Sequence, residues 1–402
     1  MYIATPNPAS MIGNSIVKAS RKCIRGTIQR NSLDFKLTHY PRGWFERTAR
    51  RHHVGRAKRT LQPWGHLVTM VMSQLSGAGS LRDLERMMAH HPGVLAHLGL
   101  EKVPRATLAD ANADRPSALF AAVAGKLAAM AGSRGPAREA IRLIDATSIV
   151  AGRRVEAWSG GGIKLHMVFD PENDRPTCFA VTPERVNDIV AARTMPIEPG
   201  ATYVFDKGYY EFAFWARMAA ADCRFVTRLK KNSPTHLVEE LDTCAEHILF
   251  DRIVTLSQRL SGQRRNPYPG PVRLVGVKID TGREITLLTN DLGAPAEEIA
   301  QLYKTRWQIE LFFKWIKQNL LISHFMGTSR NAVTIQIMAA LIAYLLLRLA
   351  CMRHTVSTSL QAVARLMPAT LLTRRPLEDL LRPPNPPTQT LANPTQLALA
   401  YA

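Results

Sequence analysis

The order of strand-like and helix-like segments in the middle of the chain most restricts the folds available to it. After Pro136, three short runs rich in β-branched and apolar residues follow one another, each bounded by Gly, Pro or Asn. They are IRLIDAT, GIKLHMVFD and TCFAVT, and apolar residues alternate with others in the second run. This pattern predicts three consecutive strands in a meander.

The segments that follow place helices between further strands. Residues 186–193 predict a helix, TYVFDKGYY a fourth strand, residues 212–221 a second helix and RFVTRLK a fifth strand. Three strands, helix, strand, helix and strand is the order of an RNase H-like core. We therefore expect an α/β catalytic domain at residues 136–350, with a β-rich insertion at about 232–292, where DRIVTLS, VRLVGVKID and REITLLTN are strand-like.

The region before this core has a helical pattern. Residues 63–135 contain LVTMVMSQL and SLRDLERMMAHH, and Ser80 is a suitable N-cap for the second of these helices. Short helices separated by Gly-containing turns are typical of a helix-turn-helix DNA reader, although ordinary helix packing produces the same pattern. We predict a mainly helical DNA-binding domain and leave the helix-turn-helix open.

Positive charge is concentrated near the N-terminus. The 402 residues carry a formal net charge of +20, and the segment from Lys18 to Arg59 holds thirteen Lys or Arg against two acidic residues. Such an imbalance favours a polyanionic partner, either nucleic acid or an anionic membrane surface, and argues against a small neutral substrate. We predict a basic N-terminal arm at residues 1–62; a merely solvated arm is the alternative.

Two other features concern cofactors and membranes. The five cysteines include no Cys-x-x-Cys pair, so we expect a reducing cytoplasm and no zinc site.

Residues 334–352 approach the length of a membrane span, but Gln336 and Arg348 interrupt them. This pattern favours a buried helix over a membrane anchor. Residues 351–402 are rich in Pro and are predicted to form a partly disordered tail.

Three acidic residues are candidates for a metal site. Asp145 is predicted to end the first strand and Asp206 the fourth, so neighbouring strands would bring both carboxylates to one sheet edge. Glu310 lies in a predicted helix at residues 296–321 that can cross the sheet. Taken singly, each acid could be a cap, turn or surface residue, but three carboxylates with open positions suit a pair of Mg²⁺ ions.

The helix around Glu310 strengthens this interpretation. At about 100° per residue, Tyr303, Arg306, Glu310 and Lys317 fall within roughly 60° of one another. The neighbouring stripe that would pack on the sheet consists of Leu302, Ile309, Phe313, Ile316 and Leu320. An acid flanked by two cations and a phenol suits a metal ion together with phosphates, whereas a solvated polar face is the alternative.

The spacing Tyr303-x-x-Arg306-x-x-x-Glu310, followed after six residues by Lys317, resembles the Tyr-Arg-Glu-Lys signature of transposases of the insertion-sequence-four family. The blocks LIDATSIV, GIKLHMVFD and VFDKGYYEFAFW are also similar to that family. The resemblance covers residues 143–350. Many relatives have Asp-Ser-Thr where this chain has Asp145-Ala146-Thr147, a departure that keeps the acid.

The resemblance implies a cut-and-paste DNA transposase with two Mg²⁺ ions, for which Mn²⁺ could substitute, held by Asp145, Asp206 and Glu310. It implies that Tyr303, Arg306 and Lys317 contact the transposon ends. Arg228 and Lys230 match a basic Arg-x-Lys often found after the fifth strand, and we expect them to contact the DNA backbone.

The resemblance further implies double-stranded DNA as partner, both as terminal inverted repeats and as target, and a dimer assembled on that DNA. It implies location at the nucleoid in the bacterial cytoplasm, without a membrane. Two alternatives remain: a catalytically inactive DNA-binding protein derived from a transposase, and an RNase H-like nuclease. Trp158, Trp215 and Trp307 could stack on a flipped base, but we expect them in the core.

Overall fold

A computed structural model describes residues 3–4, 42–52, 61–98, 100–132, 140–243, 245–257, 265–268, 270–322, 324–354 and 359–373. Most of the predicted basic arm and the Pro-rich end of the predicted tail lie outside these ranges. The described residues form a mixed α/β structure, which confirms the coarse fold class predicted from the sequence.

Six helices precede the main strands: α1 (Arg42–Arg51), α2 (Pro63–Ser76), α3 (Leu81–His90), α4 (Pro92–His97), α5 (Arg105–Asp114) and α6 (Ser117–Met130). The predicted cap of α3 is present, since the Ser80 hydroxyl accepts a hydrogen bond from the Asp83 backbone N–H at 3.1 Å. Helix α1 falls inside the segment predicted as a basic arm. Its Phe45 is buried and meets Trp64 edge-on, with ring centroids 5.3 Å apart.

The described residues contain one sheet whose first strands are β1 (Ile3–Ala4), β2 (Ile141–Val150), β3 (Gly162–Asp170), β4 (Arg175–Pro183), β5 (Thr202–Phe205) and β6 (Arg224–Arg228). Strands β2, β3 and β4 form the predicted antiparallel meander, and β1 pairs with the outer edge of β4. Strand β5 is parallel to β2, and β6 is parallel to β5. The order β4-β3-β2-β5-β6 therefore puts β2 and β5 side by side.

The predicted insertion continues the same sheet. It comprises β7 (Thr235–Leu241), β8 (Ile248–Leu256), β9 (Val272–Lys278) and β10 (Glu284–Thr289). Strand β10 pairs antiparallel with β6, so the sheet extends through β10, β9, β8 and β7 to ten strands among the described residues. Strand β7 was not predicted; its five central residues are exposed, so it lacks the alternation of a half-buried strand.

Helices cover both faces of the sheet. On one side lie α7 (Arg153–Ser159), α10 (Ala296–Thr305) and α11 (Trp307–Asn319), on the other α8 (Asp188–Ala192) and α9 (Phe212–Ala220). The stripe predicted for α11 is buried at Ile309, Phe313, Ile316 and Leu320, as is Phe312. The Phe312 ring lies 5.0 Å from Phe169 of β3. Leu302 of α10 is half-buried.

The apolar segment predicted as a buried helix is α12 (Arg330–His354), followed by α13 (Leu360–Thr370). By length and composition α12 could cross a membrane, but 78% of its apolar window is buried inside the protein. It packs on α2, α5 and α6, and Asn331 donates hydrogen bonds to the carbonyls of Asn112 and Arg115. The buried-helix prediction is confirmed.

Three sequence predictions need correction. Asp145 does not end its strand, because pairing with β3 carries β2 on to Val150. The single helix predicted at 296–321 is two helices, since the chain turns at Arg306. Part of the predicted tail is helix α13, whose Val363, Met367 and Leu371 are buried at helical spacing.

Candidate active site

Asp145 and Asp206 occupy adjacent positions on neighbouring parallel strands. Ile144 of β2 pairs with Phe205 of β5, and each of these residues is followed directly by one of the two acids. Asp145 shares its sheet face with Met167, its partner on β3, which belongs to the core beneath α11. The carboxylates of both acids therefore lie at the carboxyl end of the β2–β5 pair.

Glu310 approaches these acids from above the sheet. It lies in the first turn of α11, which packs against β2 through the buried apolar stripe. An acidic side chain in the first turn of a helix is favourable because the helix dipole places partial positive charge there. The apolar side of α11 is thus what fixes the distance of Glu310 from the sheet.

The guanidinium of Arg306 lies near two of the three acids, Glu310 and Asp145. Its Nη1 lies 2.6 Å from Oε1 of Glu310 and 3.9 Å from Oδ2 of Asp145. The Arg306 side chain is 18% exposed, and its Nε is buried without a hydrogen-bond partner among the described residues. A buried donor of this kind is costly unless a ligand satisfies it.

The carboxyl group of Asp145 is electrostatically strained. Burial raises its pKa to about 6, and the negative charges of Glu310 and Asp206 act in the same direction. The hydrogen bond from the Ala146 backbone N–H, at 2.8 Å, and the Arg306 charge oppose this rise in pKa. Three acids that repel one another in a half-buried site are suited to binding added positive charge.

Tyr303 and Arg228 lie close to these acids and to Arg306, since the charges of Arg306, Arg228 and Asp206 all affect the pKa of Tyr303. Burial raises the pKa of Tyr303, with the charges of Arg306 and Arg228 lowering it and that of Asp206 raising it. The Arg306 guanidinium lies 5.6 Å from the centre of the Tyr303 ring. The turn between α10 and α11 therefore brings Tyr303 and Arg306 to the same acids.

Lys230 and Lys317 lie on separate elements: Lys230 follows the end of β6 by two residues, and Lys317 is on α11. The Lys230 ammonium is 5.0 Å from the centre of the Tyr210 ring, a cation–π contact. Lys317 is exposed on α11, about 10 Å along the helix axis from Glu310. Both could meet the backbone of a long anionic ligand that extends beyond the acids.

The expectation that all three tryptophans lie in the core is wrong for Trp307. Trp215 is buried, as expected, but Trp307 is 56% exposed and precedes Glu310 by three residues on α11. Leu311, four residues after Trp307, is also exposed. The apolar character of Trp suggested the core, and only its place outside the stripe of Ile309, Phe313 and Ile316 signals otherwise.

A second polar cluster lies on the opposite face of the sheet. His166, the β3 partner of Ala146, is buried and hydrogen-bonded to the Thr182 hydroxyl at 2.8 Å. Burial lowers its pKa to about 4. Asp188 lies 2.9 Å from the Lys164 ammonium and 3.8 Å from Nδ1 of His166. His166 is therefore a buried residue of the sheet face.

Asp145, Asp206 and Glu310 have the donor chemistry of a divalent cation site, since hard cations prefer carboxylate oxygens. Among the described residues, however, no three Asp, Glu, His or Cys side chains lie close enough together to hold one ion. The positive charge nearest to the acids belongs to Arg306. The three acids therefore fit a cation by their donor chemistry and charge.

Comparison with known proteins gives the family. Residues 136–346 match the family described as the transposase DDE domain, and residues 36–101 match a domain of unknown function, DUF4372. A Sinorhizobium fredii protein named as the transposase y4zB is 42% identical over 304 residues, which are 73% of this chain and 85% of the relative.

A Geobacillus stearothermophilus protein, named as a transposase for the insertion sequence element IS5377, is 29% identical over 216 residues. These are 52% of this chain and 56% of that relative. The class of protein is therefore a transposase of bacterial insertion sequences, an enzyme that acts on DNA and cleaves it. Within that class, the chain belongs to the family of the transposase DDE domain, as the Tyr303 to Lys317 signature predicted.

Proposed function

We propose that the protein cuts DNA at the ends of its own element and joins the freed 3′-hydroxyl groups to target DNA, with Asp145, Asp206 and Glu310 as the catalytic carboxylates. The observation that carries this proposal is the convergence of the three acids. Two follow paired residues of β2 and β5, and the third is linked to Asp145 through the guanidinium of Arg306.

We propose that these carboxylates hold two Mg²⁺ ions, for which Mn²⁺ can substitute; transposase DDE domains are in general dependent on divalent metals. Bound divalent cations in such a site supply Lewis acidity and lower the pKa of water. The raised pKa of Asp145 supports this assignment, because a half-buried carboxylate gains most from a neighbouring cation.

The chemistry consists of two phosphoryl transfers. In the first, the oxygen of water forms a bond to the phosphorus and the bond to the 3′-oxygen breaks, which leaves a 3′-hydroxyl and a 5′-phosphate. In the second, that 3′-hydroxyl loses its proton to water and bonds to a target phosphorus, and the target strand's own 3′-oxygen leaves and takes up a proton as a hydroxyl. Neither transfer needs a covalent bond to the protein.

The basic residues orient the DNA in this proposal. Arg306 and Tyr303 face the acids, and the buried Nε of Arg306 lacks a partner that a phosphate oxygen would supply. Arg228 lies close enough to influence the ionisation of Tyr303. Lys230 and Lys317 provide further contacts to the DNA backbone.

We further propose that the strand order β4-β3-β2-β5-β6, with β5 and β6 parallel to β2, is an RNase H-like core at residues 136–350, enlarged by the β-rich insertion at 232–292. Residues 63–135 form a helical DNA-binding domain, residues 1–62 a basic N-terminal region that includes α1, and residues 351–402 a C-terminal region that includes α13. The protein acts as a dimer on paired terminal repeats, in the cytoplasm at the nucleoid.

Replacement of Glu310 tests the catalytic assignment. Glu310→Gln keeps the size of the side chain but removes the charge, so cleavage of transposon-end DNA in Mg²⁺ should fall by several orders of magnitude while DNA binding persists. Wild-type protein should cleave in Mg²⁺ or Mn²⁺, bind without cleavage in Ca²⁺, and be inactive with a chelator. Cleavage and strand transfer are measured on a duplex taken from the inverted repeats that flank the gene.

The matched control is Glu298→Gln, the same change at an exposed position of α10. It should leave cleavage near the wild-type rate, and circular dichroism should show both variants folded. Near-normal cleavage by folded Glu310→Gln would contradict the assignment of Glu310. Cleavage without any joined product would favour a nuclease.

A further inference from the structure

The position of Arg306 has a consequence for how the site binds cations. Its guanidinium contacts acids from two different elements, Glu310 of α11 at 2.6 Å and Asp145 of β2 at 3.9 Å. A helix-surface ion pair four residues apart would join Arg306 and Glu310 alone. The additional approach to Asp145 places the positive charge between the helix and the sheet.

The backbone around Arg306 favours this placement. The residue lies where α10 ends and α11 begins, and its N–H donates to the Tyr303 carbonyl at 3.2 Å. The guanidinium is also within 5.6 Å of the Tyr303 ring centre, so an aromatic face lines its position. The side chain is mostly buried, and its Nε has no protein partner among the described residues.

The space between Asp145 and Glu310 already holds a positive charge, that of the Arg306 guanidinium. In the part of the chain that the structure describes, no three acidic, His or Cys side chains are grouped as a cation site. Two positive charges cannot share the space between Asp145 and Glu310 without strong repulsion, which is largest where water is excluded. Entry of a divalent cation therefore requires the guanidinium to leave.

We propose that Arg306 is an internal competitor for the catalytic cation: its guanidinium occupies the place between Asp145 and Glu310 in the free protein, and a divalent cation must displace it. This inference rests on the proposed function, in which these acids bind the cation. The displaced guanidinium, with its unsatisfied Nε, becomes available to a DNA phosphate. Cation loading and DNA engagement are then coupled through one side chain, and such coupling is reciprocal.

Direct measurement of Mn²⁺ binding to the DNA-free protein tests the proposal without any use of activity. Electron paramagnetic resonance of free Mn²⁺ gives the dissociation constant for wild type, Arg306→Ala and Arg306→Gln. We expect both variants to bind Mn²⁺ more tightly than wild type by about tenfold or more, where tenfold is equivalent to ~1.4 kcal/mol. Arg306→Gln keeps most of the side chain length, so it serves if Arg306→Ala folds poorly.

Lys304→Ala is the matched control. It removes one positive charge two residues away, but Lys304 pairs with Asp280 at 3.4 Å and is mostly exposed. Its effect on Mn²⁺ affinity should be small and should disappear at high salt, because exposed charges are screened. An equal gain in affinity from Lys304→Ala would show that net charge, and not occupancy by Arg306, controls binding, and would overturn the proposal.

Glu310→Gln separates this inference from the proposed function. If Glu310→Gln abolishes Mn²⁺ binding and folded Arg306 variants bind no better than wild type, the acids form the cation site but Arg306 is not a competitor. If wild type and the Arg306 variants all fail to bind Mn²⁺, the proposed cation site is wrong and this inference fails with it.

Discussion

At the scale of single residues, the ionised carboxylate of Asp145 lowers the free energy of unfolding of the protein. Burial, together with the negative charges of Glu310 and Asp206, raises its pKa from 3.8 to about 6 despite the nearby Arg306. In the unfolded chain this carboxyl ionises at its ordinary pKa. The ionised form is therefore less favourable in the folded protein than in the unfolded one.

Asp145→Asn should consequently stabilise the protein at neutral pH. A folded pKa above the unfolded one means that the proton stabilises the folded state, so the penalty is absent below about pH 4 and complete above about pH 6. The rise from 3.8 to about 6 corresponds to roughly 3 kcal/mol in the free energy of unfolding. Urea unfolding at pH 7 and at pH 4, without divalent ions, measures the difference.

The same change at the exposed Asp280 serves as control and should alter the free energy of unfolding little at either pH. An Asp145→Asn protein with unchanged stability at pH 7 would show that the Asp145 carboxylate is adequately solvated or paired as it stands. A gain in stability that is equal at pH 4 and pH 7 would point to a cause other than ionisation.

At the scale of elements, α11 positions the site because one side of it is anchored. Its buried stripe was predicted from helical periodicity alone, and Ile309, Phe313, Ile316 and Leu320 are all buried as expected. The break at Arg306 was not predicted, because no Gly or Pro marks it. Tyr303 and Glu310 were placed on one face on the assumption of a continuous helix, but they lie on two helices, and Arg306 at the turn between α10 and α11 contacts both.

The sequence pattern predicted where the strands lie better than where they end. Alternation and turn residues located β2 to β6, but the end of β2 was misplaced, because pairing with β3 continues past Asp145. Periodicity reports which face of an element is buried, whereas the end of an element depends on its neighbours. The residue types and order therefore indicated the candidate site, but the link through Arg306 required the structure.

Two aliphatic residues of α11 allow a paired test of its anchoring. Ile309 is fully buried, and Leu311, two residues later, is 49% exposed. Ile309→Ala should lower the free energy of unfolding by about 2–5 kcal/mol through lost burial and a cavity, whereas Leu311→Ala should change it by less than about 0.5 kcal/mol. Chemical denaturation measures both. Equal costs would contradict the packing described for α11.

At the scale of the whole molecule, the N-terminal helices and the sheet share one hydrophobic core. Helix α12 contacts α2, α5 and α6, and its Tyr344 hydroxyl donates to the Asp174 carbonyl in the turn between β3 and β4 at 2.7 Å. The side chain of Arg175, the first residue of β4, donates to the Ala128 carbonyl of α6 at 2.6 Å. A DNA contact made by the N-terminal helices would thus be rigidly related to the acids of the sheet.

The segment before α1 carries an excess of positive charge, for which packing of the hydrophobic core gives no reason. Six basic residues, Lys18, Arg21, Lys22, Arg25, Arg30 and Lys36, precede α1 with only Asp34 as an acidic counterpart. If they bind phosphates, each contact releases counterions, and the logarithm of the DNA affinity falls with the logarithm of salt by about 0.9 per contact. The salt dependence of binding therefore counts the contacts that the segment makes.

Replacement of all six basic residues by Gln in the full-length protein should flatten this salt dependence markedly and weaken DNA binding at low salt. Substitution is preferable to deletion, because Ile3 and Ala4 pair with β4 and removal of the N-terminus would expose that edge of the sheet. Fluorescence anisotropy of a labelled duplex over a range of salt concentrations gives both slopes. A control variant with Arg82, Arg86 and Arg105 changed to Gln removes exposed positive charges from α3 and α5 instead. Its salt dependence shows what the helical region contributes to DNA binding.

An unchanged slope in the six-residue variant, with affinity near wild type, would mean that the segment does not lie on DNA. The basic excess before α1 would then serve solubility alone.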